Sequence, residues 1–90
     1  MAQHTQELVC EVVGGEPYEY YALGDYVVRA PGVCGGEPTF KYTRINVEHA
    51  LGRLLMGWTV DQVAASYRLP AAAVREAIQL AAEALVSQAS

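Results

Sequence analysis

Ninety residues, 52% of them apolar, suffice for one small core, and a second would have nothing to build itself from. No apolar run approaches the ~20 residues needed to cross a bilayer. A net charge of −4 argues against a strong nucleic-acid footprint over the whole chain. The charge is unevenly spread: residues 1–37 carry six acids against Arg29 alone, and residues 38–90 carry five bases against four acids. Any contact with DNA is therefore expected from the second part.

In chain order, the first residues, Met1 to Glu7, lack the basic start and apolar stretch of a secretory signal, so a cytoplasmic location is expected. Leu8, Val9, Cys10, Val12 and Val13 read as a short strand that ends at Gly14-Gly15. Pro17 to Tyr21 interleaves Tyr18, Tyr20 and Tyr21 with glutamates, and Gly24-Asp25 marks a turn. Tyr26 to Arg29 is a second strand candidate, stopped by Pro31-Gly32. Gly35-Gly36 and Pro38 predict a loop with positive-φ glycines, and Thr39 to Ile45 a third short strand.

After Ile45 the apolar period changes from two to 3.6. Asn46 is a suitable N-cap, with Val47, Ala50, Leu51, Leu54 and Leu55 on one helical face until Gly57 ends the helix. Thr59 and Gln62 have capping-box spacing ahead of a second helix that presents Val60, Val63, Ala64 and Tyr67. Arg68-Leu69-Pro70 breaks the chain before a third helix from about Ala71 to Val86. The reading is a mainly α fold, a three-helix helix-turn-helix (homeodomain-like) bundle preceded by short N-terminal β-strands. Residues 1–30 form an N-terminal strand and aromatic segment, a candidate arm for dimerisation or a partner, and residues 31–90 form the main domain.

No cofactor or metal is expected. Cys10 and Cys34 lie 24 positions apart and His4 and His49 are isolated, whereas structural zinc sites need closely spaced pairs. Catalysis is not expected either, because no nucleophile, acid and base converge by sequence logic. The high apolar fraction suggests a buried partner surface, most simply a homodimer.

The order Pro31-Gly32-Val33-Cys34-Gly35-Gly36-Glu37-Pro38, Thr43-Arg44-Ile45, then Gly57 and an alanine-rich last helix resembles the prokaryotic family called domain of unknown function four-three-three. One departure is Tyr42, which stands where that family usually has glycine before Thr-Arg; another is the short link Arg68-Leu69-Pro70. The resemblance implies a small helix-turn-helix protein of antitoxin type, which would neutralise a PIN-like nuclease and bind its own promoter DNA.

The candidate DNA-contacting residues are Arg75 and Gln79 for base edges, with Arg68, Lys41, Arg44 and Arg53 for phosphates. Glu76, read as their outward neighbour, would repel phosphate. Arg44 is more readily an internal partner of an acid such as Glu48 or Asp61, fixing the loop geometry. Tyr18, Tyr20 and Tyr21 are the candidate partner-binding residues, since three tyrosines in four positions cannot all face one way and tyrosine is enriched at interfaces. Two other functions fit the same residues: a DNA-binding transcription regulator without a toxin partner, and a protein-interaction module that does not bind DNA.

Overall fold

The computed structural model describes residues 7–89. Strands β1 (Leu8–Val13), β2 (Glu16–Ala22), β3 (Val27–Arg29) and β4 (Pro38–Phe40) form one antiparallel sheet in the order β1-β2-β3-β4, and helices α1 (Val47–Leu55), α2 (Val60–Tyr67) and α3 (Ala71–Ala89) follow. The β1–β2 hairpin turns on Gly14 and Gly15, with φ of +59° and +82°. Both lie in the left-handed region that a two-residue hairpin loop of this kind demands and that glycine occupies without strain.

The expectation of a mainly α three-helix bundle is overturned. The strands are a layer of the fold in their own right, so the chain is a mixed α and β protein. The physical reason is that the sheet has buried residues on both faces. Toward the helices, Val27 and Phe40 join Val47, Ala50, Val63, Ala64, Ala73, Val74 and Ala77 in the main core. On the opposite face Tyr20, Val28 and Ala30 are buried in a second, smaller core flanked by Val9, Tyr18 and Val33. A strand with apolar residues on both faces gives no clean alternation, which is why β3 and β4 look weak in sequence. The third strand is also shorter than expected and ends at Phe40.

The helices begin where the local chemistry says they should. The Asn46 side chain accepts from Glu48 N at 2.7 Å, and Thr59 and Gln62 make both bonds of a capping box. Arg68 closes α2 with φ +59°, a left-handed residue before Pro70 and α3. Between β4 and α1 the Thr43 hydroxyl donates to Phe40 O at 2.7 Å and accepts from Ile45 N at 3.0 Å, which folds the connecting turn.

One contact ties the two layers together. The Glu76 carboxylate on α3 accepts from the backbone N–H groups of Asp25, Tyr26 and Val27 at 2.8, 2.7 and 2.9 Å. Glu76 is therefore not the outward, phosphate-repelling neighbour expected of it. Gly24 leaves room for this contact, because a Cβ there would meet the Glu76 Cδ at 2.6 Å and the carboxylate would have to shift.

Candidate functional site

The outer face of the sheet carries a polar cluster built from three elements. The register sets Glu11 of β1 opposite Tyr18 of β2, and Val9 opposite Tyr20. Strand alternation thereby gathers Glu11, Tyr18 and Tyr20 on one face. The Tyr20 hydroxyl donates to Glu11 Oε2 at 2.8 Å, and the Tyr42 hydroxyl donates to Glu11 Oε1, also at 2.8 Å. The Tyr18 hydroxyl accepts from Tyr42 N at 2.9 Å. Tyr18 stacks on Tyr20 and Tyr42 with ring centroids 5.2 and 5.5 Å apart, and Lys41 Nζ lies 5.1 and 5.4 Å from the Tyr20 and Tyr42 ring centroids.

These contacts order the charges. Hydrogen bonds first from Tyr20 and then from Tyr42, helped by the Lys41 charge, hold Glu11 below its ordinary value of 4.5. The Tyr20 hydroxyl beside it holds Lys41 above 10.5, and donation to Glu11 holds Tyr42 above 10.0. At neutral pH Glu11 is therefore a carboxylate, Lys41 an ammonium and Tyr42 a neutral phenol.

Tyr42 is the unusual member. Its φ is +67°, a left-handed conformation that side chains rarely adopt, and the residue is 55% exposed. Such strain, of order 1–2 kcal/mol for a non-glycine residue, persists where the surroundings over-determine the backbone. Here Glu11, Tyr18 and Lys41 supply those surroundings. Beside Tyr42 opens a cleft of about 520 Å³, lined among others by Val13, Tyr18, Val33, Tyr42, Thr43 and Arg44.

Of the expected partner residues, Tyr18 and Tyr20 belong to this cluster. Tyr21 lies on the other face of β2, beside a smaller hollow shared with Arg29 and Gly35-Gly36. The expected DNA-contacting residues occupy different environments. Lys41 sits in the aromatic cluster and Arg44 lines its cleft. The guanidinium of Arg53 lies 5.3 Å from the Trp58 ring centroid. Arg68 and Arg75 are exposed near the α2–α3 junction, and Gln79 donates to Glu83 at 3.2 Å. Among the described residues Arg44 has no ion pair with Glu48 or Asp61; its carbonyl instead accepts from the Cys34 thiol at 3.3 Å.

Glu11 and Tyr42 escaped the sequence reading. For Tyr42 a signal existed, since it fills a position where the resemblance calls for glycine. Among the described residues no group of three His, Cys, Asp or Glu side chains could hold a metal ion, and no helix is long and apolar enough to cross a membrane. His4 lies outside the described residues.

The family model described as Protein of unknown function (DUF433) matches residues 27–81, 55 of the 90. The chain belongs to this family. The DUF433 match runs from the start of β3 into the middle of α3, so β4, α1, α2 and Tyr42 lie inside it and the β1–β2 hairpin lies before it. No curated protein and no solved structure matches the chain.

Proposed function

We propose that this DUF433 protein is a non-enzymatic, homodimeric partner-binding protein of antitoxin type. Its partner-facing surface is the outer face of the sheet around Tyr18, Tyr42 and Arg44, and the partner is a small nuclease. The observation that carries the reading is Tyr42. A strained, half-exposed tyrosine at a position suited to glycine implies that its side chain is worth more than the strain it costs. Tyrosine, arginine and a shallow cleft are the materials of protein interfaces. The carboxylate of Glu11 is already engaged by two phenols, so the surface meets a partner with its aromatic rings and the Lys41 and Arg44 cations.

Contact with promoter DNA through the exposed Arg68 and Arg75 is a second part of the reading. It is favoured by one observation: the Glu76 carboxylate turns onto the sheet amides instead of standing beside Arg75 to repel phosphate.

The test is to purify the tagged full chain from its own host after nuclease treatment, as wild type and as Tyr42→Gly. The expected result is a stoichiometric small nuclease with the wild type and its loss with Tyr42→Gly, while the thermal midpoint changes little because relieved strain offsets the lost contacts. Recovery of the chain alone, or equal recovery of a nuclease with both proteins, contradicts the assignment. Loss of binding with a large fall in midpoint would make Tyr42 a folding residue instead.

A further inference from the structure

The two edges of the sheet are treated differently. The outer edge of β4 is closed, since Thr39 bridges Asn46 and Phe40 N donates to Ile45 O at 3.2 Å. The outer edge of β1 pairs with nothing among the described residues. Proteins protect such edges with short strands, lysine, proline or bulges. β1 has none of these: it is 6 residues long, pairs one-to-one with β2 from Leu8 to Val13, and lacks proline and lysine. Its single charge, Glu11, is held by Tyr20 and Tyr42. On the face opposite Glu11, Leu8 is 45% and Val12 77% exposed, because the helices pack over β3 and β4.

We propose that β1 pairs antiparallel with β1 of a second copy of this chain, about a twofold axis at Cys10, to give a continuous eight-stranded sheet. The edge offers main-chain donors and acceptors, so its occupant is an extended strand. A second copy fits because the strand is self-complementary in this register. Leu8 of one copy then faces Val12 of the other, Val9 faces Glu11, and Cys10 faces Cys10.

Centring the axis on Glu11 would instead set two carboxylates opposite each other, which is destabilising. Glu19, the neighbour of Cys10 on β2, would lie about 14 Å from its copy across three strand spacings, beyond the screening length of ~8–10 Å. A six-residue edge is smaller than a standard interface of about 1,600 Å², so the dimer should dissociate within the micromolar range. This inference specifies the dimeric part of the function proposed above and leaves its partner surface free.

Sedimentation velocity across the micromolar range, under reducing conditions, tests it with the full chain and with Val12→Lys. Copper–phenanthroline oxidation of Cys34→Ser and Cys10→Ser variants supplies a second readout. In an antiparallel pair the facing Cα atoms lie about 4.5–5.5 Å apart, within the reach of a disulfide. The expected results are a concentration-dependent dimer, an association weakened at least about tenfold in Val12→Lys with an unchanged thermal midpoint, and covalent dimer from Cys34→Ser alone. A dimer indifferent to Val12→Lys and not captured through Cys10 would overturn the β1 interface while leaving a homodimer in place. A monomer at every concentration would overturn both.

Discussion

The β1–β2 hairpin and the family unit of residues 27–81 are held by different forces. The family unit closes around Val27, Phe40, Val63 and Val74, each within 2% of complete burial, and their buried neighbours. The hairpin has only the small Tyr20–Val28–Ala30 core, and is fastened to the rest by hydroxyls, a carboxylate and a cation at its surface. Burial gives the first region a stability set by apolar area. Exposed polar contacts give the second an attachment that is specific in geometry but modest in energy. A region built in this way can be adjusted for binding without jeopardising the core.

The largest effect should come from the family unit. Phe40→Ala removes a ring that is 1% exposed and should cost about 3–5 kcal/mol, enough to unfold much of a domain this small, as read by chemical denaturation. A cost below about 1 kcal/mol would mean that the core does not depend on β4.

Glu76→Ala should come next, at about 2 kcal/mol, because three backbone donors lose their acceptor together. Gly24→Ala should resemble it, since the added methyl collides with the same carboxylate. If both variants melt like the wild type, the link between α3 and the β2–β3 turn is ornamental. Thr39→Val should be small and opposite in sign. The Thr39 hydroxyl is buried with no hydrogen-bond partner among the described residues, so an isosteric methyl should leave stability equal or raise it by up to about 1 kcal/mol.

The hairpin should respond to pH where the core does not. The lowered pKa of Glu11 contributes stability that is present above its ordinary value of 4.5 and is lost as pH falls through the lower folded value. Amide-exchange protection of β1 should therefore fall in that acidic window. In Glu11→Gln the hairpin should already be loosened at neutral pH and show no such step.

The difference between the two regions also explains what the sequence disclosed. Asn46, Thr59 with Gln62, the apolar stripe of α2, and the positive φ of Gly35 and Gly36 (+65° and +83°) are local signals that the structure bears out, and the α1 stripe holds for Val47, Ala50, Leu51 and Leu54 but not for Leu55, which is 91% exposed. The sheet is less legible because Tyr18, Glu19, Tyr20 and Tyr21 alternate neither by charge nor by polarity. Its status as a layer rests on pairing between segments that are separate in sequence. The polar locks are less legible still. Glu76 lies about fifty positions from the amides it binds, and Glu11 lies 31 from Tyr42. No short-range pattern marks a carboxylate for a distant partner. The exception is Tyr42, where a residue out of keeping with its backbone was visible as a departure from the family's glycine.

Glu11 is the fastening of the hairpin, and native-state hydrogen exchange of the wild type and Glu11→Gln at neutral pH tests that directly. The predicted result is a loss of protection confined to β1 and β2, with β3, β4 and the three helices unchanged. Equal protection in both proteins, or a loss spread evenly over hairpin and core, would contradict it.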